Sequence, residues 1–200
     1  TADARVATSV EAACDAARAI GYPIVLKIVS PDIAHKSDVG GVHIDIGSEA
    51  ELRTAYGRVI ERVGELRPQA RIEGVLVQRM VTAGRETIVG ITRDAKFGAL
   101  VMFGLGGMFV EAMRDVVFRV APIDDVEAAA MIEGIRGAQI LRGMRGEPGV
   151  DRAALADAVR RIAQLANDFP EILELDVNPL LAFASGAVAA DARVTVSPRA

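Results

Sequence analysis

Apolar residues along the chain switch between helical and strand spacing, and the switches lay out its elements. Val10, Ala13, Cys14, Ala17 and Ile20 recur at intervals of three and four. That is the stripe of an amphipathic helix, with Thr8 and Glu11 spaced as a capping box and Gly21 and Pro23 as its stop. Ile24–Val29 is apolar on both faces except at Lys27, the pattern of a strand buried within a sheet. A polar loop over 30–41 leads into Val42-His43-Ile44-Asp45-Ile46, whose alternation predicts a half-buried strand. Ser48 and Glu51 then cap a second helix, with Leu52, Ala55, Tyr56, Val59, Val63 and Leu66 on one face and its Arg and Glu residues on the other.

The middle third turns strand-rich: 74–81, 87–93, a turn around Asp94-Ala95-Lys96, 99–103, a glycine loop, then 116–121. Such a succession predicts an antiparallel sheet. Helical spacing returns over 124–141 and 151–169, the latter with Leu155, Ala158, Val159, Ile162 and Ala166 on one side. A strand pair, 172–177 and 187–194, closes the chain. No linker, repeat or low-complexity tract divides the 200 residues, so they read as one unit.

Composition narrows the function classes. With 51% hydrophobic and only 4% aromatic residues, the core must be aliphatic. A formal charge of −4 with dispersed Lys and Arg excludes the basic stripe that nucleic-acid binding requires. The single cysteine, Cys14, excludes an internal disulfide and a cysteine-based zinc cluster. No membrane span or signal-peptide layout is present, so a cytoplasmic protein is expected, and a start at Thr1 without an initiator Met suggests a part of a longer chain.

Chemistry concentrates at a few positions. In the stretch ILELDVNP, Glu174, Asp176 and Asn178 are each two apart, so on a strand they project from one face while Leu173, Leu175 and Val177 enter the core. Asp191 on the returning strand could join them, and hard oxygen donors without His or Cys suit Mg²⁺, although alternation alone favours a solvated sheet face. Lys27 either snorkels at a sheet edge or meets phosphate oxygens. Gly40 and Gly41 make either a hairpin turn or a flexible loop whose N–H groups approach phosphates. The stretch FGLGGMFVE lacks the lysine-serine ending of a P-loop and the third glycine spacing of a dinucleotide fingerprint. His35, in the polar loop, is either a surface residue or a phosphoryl relay. Arg114, Asp115 and Arg119 flank the strand after the glycine loop, where Arg119 is the better candidate for a phosphate.

Taken in order, GYPIVLKIVSPDIAHKSDVGGV, GRETIVG, FGLGGMFVE and ELDVNPL resemble the ATP-grasp module of ADP-forming acetyl-CoA synthetases and related acyl-CoA synthetases, over nearly the whole chain. The resemblance implies an α+β fold, the ATP-grasp fold, with two α+β lobes holding the nucleotide between them and a lobe boundary near 78–82. It implies ATP or ADP with Mg²⁺ as cofactors, Lys27 on phosphates, Gly40 and Gly41 in a flap, and Asn178 and Asp191 as magnesium ligands beside Asp176. Adenine is then expected near Val77-Gln78-Arg79-Met80-Val81, with Gln78 and Met80 as contacts and Glu86 on the nucleotide side.

The family reaction is a relay in which a histidine of a CoA-binding domain carries a phosphoryl group to this module, and His35 matches a proposed second carrier. CoA-binding and ligase domains, fused or separate, are the partners implied, in an oligomeric enzyme with an exposed apolar docking face. Modules of this kind usually begin with a further strand and helix. Rival readings are a non-catalytic ATP-grasp module of a protein lysine acetyltransferase, another ATP-grasp ligase such as a succinyl-CoA synthetase β chain or a biotin-carboxylase-like enzyme, and a structural domain without nucleotide.

Overall fold

Helix α1, Val10–Ile20, forms where the first apolar stripe predicts it, but its cap is Ser9, whose hydroxyl accepts from the Ala12 amide at 3.2 Å. The expected box at Thr8 and Glu11 is displaced by one residue because strand β1, Ala4–Ala7, runs up to the helix. That four-residue strand carries too little contrast to be read from the sequence. A cap contributes about 1 kcal/mol, whereas full burial of Ile20 alone contributes roughly 2 kcal/mol. The buried stripe of Ala13, Cys14, Ala17 and Ile20 therefore decides where the helix lies.

The chain is described here by a computed structural model covering residues 2–33, 35–107, 115–144, 146 and 148–197. It forms two compact α+β units, Ala2–Thr82 and Ala83–Ala200. In the first, β2 (Ile24–Val29), β3 (Val42–Ile46) and β4 (Gly74–Arg79) join β1 in an antiparallel sheet of order β1-β4-β2-β3. Helices α1 and α2 (Glu49–Leu66) form one core with Leu26, Ile28, Val75 and Val77. Alternation in β3 breaks at a bulge, where Asp45 takes φ +59°, so Ile44 and Asp45 are both exposed.

The second unit holds β5 (Arg85–Asp94), β6 (Gly98–Leu105), β7 (Val116–Val120), β8 (Ile172–Ala182), β9 (Ala187–Ala189) and β10 (Ala192–Val196). They pair antiparallel in the order β10-β8-β5-β6-β7, with β9 also on β8. The strand expected over 187–194 is thus two short ones. Helices α3 (Asp125–Gly134), α4 (Ala138–Arg142) and α5 (Arg152–Asp168) contribute Met131, Leu141, Leu155 and Val159 to a core with Val89, Val101, Phe103 and Val177.

The single helix expected over 124–141 breaks at 135–137. There the Arg136 and Gly137 amides donate to the Asp115 carboxylate, each at 2.7 Å. Asp115 is only 5% exposed. Arg93 of β5 donates to the carbonyls of Ile172 at 2.6 Å, Phe169 at 3.0 Å and Ala166, tying the C-terminus of α5 to the start of β8. Among the described residues no helix is long and apolar enough to cross a membrane.

The start of α5 is tied to the β8–β9 turn by Asp151. Its carboxylate accepts from the amides of Ala154 and Gly186, each at 2.9 Å, and those bonds, Gly186 first, hold its pKa below the usual aspartate range. Asp151→Asn is expected to lower the melting temperature at neutral pH, with the gap to wild type closing in acid. A carboxyl whose folded pKa is depressed stabilises fully above about pH 5. That stability is lost as pH falls from the unfolded value of about 3.9 through the folded one. Melting curves from neutral to acid pH test this, and a gap of constant size would refute it.

Candidate functional site

The candidate residues of the first unit are set by β2, β4 and the loop between β2 and β3. Lys27 pairs with Leu76, and Val25 with Gln78. Paired residues share a face, and Leu26, Ile28, Val75 and Val77 occupy the helix side, so Lys27 and Gln78 lie together on the opposite one. Both are largely buried, at 9% and 6% exposure. Met80 follows β4, half-buried, and its amide donates to the Pro23 carbonyl at 3.0 Å.

The loop bearing His35 is anchored on both sides. Ile33 and Val39 are buried in the first core, and the Asp32 carboxylate accepts from the Arg71 amide at 2.7 Å. His35 stands exposed between those anchors. The Gly40 amide donates to Ser37 at 3.1 Å and the Gly41 amide to Lys36 at 2.8 Å. Gly40 has φ +66°, and a Cβ on Gly41 would come within 2.6 Å of Ile28 Cγ2. In this conformation the two glycines supply a tight turn, and their N–H groups serve the loop itself.

In the second unit the in-step reading of β8 holds at Leu175 and Val177, which enter the core, but not at Leu173, which is 40% exposed near the start of the strand; the register extends it. Asp176 pairs with Arg193 and Glu174 with Thr195, while the Asn178 amide donates to the Asp191 carbonyl at 3.2 Å, placing Asp191 opposite Asn178. All six residues lie on the face away from the helices, since Leu175 and Val177 between them belong to the core. Asn178 and Pro179 together oppose Ile88 of β5, forming a bulge between the pairs Thr87–Leu180 and Val89–Val177. Proline, which has no N–H to give a ladder, is at home there, and the bulge re-aims Asn178.

Beside this row lies a cavity of about 310 Å³ with Ile88, Met102 and Phe118 on its apolar side and Glu174, Asp176 and Arg193 on its polar side. Gly90 pairs with Asp176, and a Cβ there would come within 2.9 Å of the Leu175 carbonyl oxygen, so glycine lets β5 and β8 approach closely at this point. Asp176 retains contact with solvent, yet burial by its neighbours pushes its carboxyl above the usual range. Arg193 opposes that shift and the negative charge of Asp191 adds to it. A larger cavity of about 450 Å³ between β3 and α2, around His43 and Arg58, holds none of the candidate residues.

The donor set fits Mg²⁺. Two carboxylates and one amide oxygen are hard ligands, too few to enclose an ion without added waters or phosphates. Among the described residues no three His, Cys, Asp or Glu side chains form a ready cage, so a closed structural site of the zinc kind is not built here.

Glu86, near the start of β5, is exposed. Its carbonyl accepts from the Gly106 amide at 2.9 Å. A Cβ on Gly107, which has φ +60°, would fall 2.4 Å from the Glu86 carboxylate. The glycines of the FGLGG stretch thus let the chain close against Glu86. Residues 108–114, with Arg114, lie outside the described ones. Arg119 requires a correction. It pairs with Val101, which is fully buried under the helices, so Arg119 belongs to the helix side and not to the face of Asp176. Its guanidinium donates to the neighbouring Phe118 carbonyl at 2.9 Å. Arg193, on the correct face, drew no attention in the sequence, where only its place two residues after Asp191 could have marked it.

An ATP-grasp domain family model matches residues 1–196. The chain is similar to acetate–CoA ligase (ADP-forming) I of Archaeoglobus fulgidus, 49% identical over 191 residues, covering 96% of this chain and 28% of that protein. It is similar to the beta subunit of acetate–CoA ligase (ADP-forming) I of Pyrococcus furiosus, 48% identical over 190 residues, covering 95% of this chain and 82% of that subunit. Among solved structures, the dinucleotide-forming acetyl-coenzyme A synthetase 1 of Ca. Korarchaeum cryptofilum in complex with coenzyme A, Ca-AMPCP and HgCl⁺ superposes with a TM-score of 0.96 at 46% identity, covering 98% of this chain and 86% of that one. The same enzyme with coenzyme A and Mg-AMPPCP, its phosphohistidine segment pointing towards the nucleotide binding site, gives 0.85 at 42% identity over 98% and 85%.

Proposed function

This chain belongs to the ATP-grasp domain family, alongside the beta subunits of ADP-forming acetate–CoA ligases, and on that premise we propose that it is the nucleotide-binding, phosphoryl-transfer part of an ADP-forming acyl-CoA synthetase. The reaction of the whole enzyme is then acyl-CoA + ADP + phosphate ⇌ carboxylic acid + CoA + ATP. In that sequence phosphate displaces CoA to give an acyl phosphate. A histidine takes the phosphoryl group and frees the carboxylate, and the phosphohistidine passes it to ADP. Partner domains for CoA and acyl binding, fused or separate, supply the first steps in the cytoplasm.

Each named residue has a chemical task in this reading. The Lys27 ammonium neutralises phosphate oxygens, and largely buried surroundings strengthen it. Gln78 and Met80 contact the base, and Glu86 stands on the nucleotide side. Asp176, Asn178 and Asp191 would hold Mg²⁺, which when bound supplies charge neutralisation for the phosphate oxygens. His35, exposed on an anchored loop, accepts the phosphoryl group as a second carrier, and Gly40 and Gly41 give that loop its turn. No lysine acetyltransferase stands among the relatives described above, and nothing in the site favours that module.

The observation that carries the reading is the row of Asp176, Asn178 and Asp191 on the open face of β8 and β10. Calorimetric titration of the full-length protein with ADP tests it. Metal-dependent binding is expected in wild type. Lys27→Ala should weaken it by about tenfold to a hundredfold, the worth of one charge-assisted phosphate contact. A folded wild-type protein that binds no nucleotide would sink the proposal.

A further inference from the structure

We propose that Arg193 is a positioning residue: it orients the Asp176 carboxylate towards Asn178 and Asp191, so that the metal ligands are arranged before the metal–nucleotide complex arrives. The role rests on the reading of the site given above and concerns a residue that the reading itself does not use.

Arg193 and Asp176 are direct partners in the β10–β8 ladder and share its open face. Side chains so placed have Cβ atoms about 5 Å apart, within reach of a guanidinium fork for a carboxylate. Asp191 sits two residues before Arg193 on the same face, opposite Asn178. The two acids of the row repel each other, and a repelled carboxylate on an open face turns towards solvent. Arg193 is the only cation among the described residues lining the adjacent cavity, next to Glu174 and Asp176. A lysine would supply the charge but not the planar fork, so it should replace the charge without fixing the geometry.

The test is ADP binding by the full-length protein, titrated with Mg²⁺ and repeated in excess EDTA. Arg193→Gln is expected to raise the Mg²⁺ concentration for half-maximal enhancement about tenfold and to leave ADP affinity in EDTA unchanged, with Arg193→Lys in between. In an Asp176→Asn background Arg193→Gln should add nothing, because the group it positions is gone. Additive losses, equal weakening in EDTA, or no change in Mg²⁺ dependence would each overturn the inference. Asn178→Ala separates the two levels. If it abolishes enhancement while Arg193→Gln changes nothing, only the role of Arg193 fails. If Mg²⁺ gives no enhancement in wild type, the site reading fails and the inference with it. Arg193 is exposed, so its variants should keep the fold, which circular dichroism checks.

Discussion

Alanine at both Asn178 and Asp191 is expected to abolish the Mg²⁺ dependence of nucleotide binding and to slow turnover of the complete enzyme by about a thousandfold or more, with the fold intact. Phosphoryl transfer involves little covalent work by the protein, and its barrier is lowered by positioning and by neutralising charge on the phosphate oxygens. On the proposed assignment, losing these two ligands of the divalent ion removes the largest source of that neutralisation. A thousandfold corresponds to about 4 kcal/mol of lost transition-state stabilisation, the usual scale for one strong electrostatic element. Stability should change little, because Asn178 is exposed and Asp191 only partly covered. The bond between the Asn178 amide and the Asp191 carbonyl uses backbone alone. Turnover and calorimetry of the double variant, with a melting curve beside them, check the result, and binding and turnover within about threefold of wild type would exclude this row as the metal site.

The in-step row of β8 was legible because strand periodicity is local: residues two apart share a face whatever the rest of the molecule does. Strand β2 with Lys27, and helix α2 with its Ser48 cap, were legible for the same reason. What escaped depends on partners distant in sequence. The break between α3 and α4 comes from Asp115, some twenty residues earlier, and the end of α5 from Arg93, more than seventy residues earlier. Arg119 was misassigned because a strand pattern gives alternation but not which parity faces the helices. Only the pairing with Val101 settles that. The bulge at Asn178 and Pro179 was written in the Asn-Pro pair, yet its effect appears only against β5. The functional family was carried by the order of the longer motifs, which no single spacing supplies.

Asp115→Ala is expected to destabilise the protein by about 3 kcal/mol, lowering the melting midpoint by roughly 10 °C. Its carboxylate is 5% exposed and accepts two short bonds from the amides of Arg136 and Gly137. Removing it orphans two part-buried donors, each costing about 1 to 3 kcal/mol. The break cannot relax freely, because a Cβ at Gly137 would already lie 2.4 Å from Leu105, and Ile135 beside it is held in the core. Asp115→Asn should cost less, since its carbonyl oxygen can keep one amide while its NH₂ group cannot accept the other. Denaturant titration of both variants checks the order, and a loss under about 0.5 kcal/mol for alanine would show that solvent satisfies those amides. Below the melting transition, Mg²⁺-dependent nucleotide binding should persist in both, because Asp115 contributes nothing to the open face of β8 and β10. The same molecule is thus expected to separate a substitution that unfolds it from one that silences it.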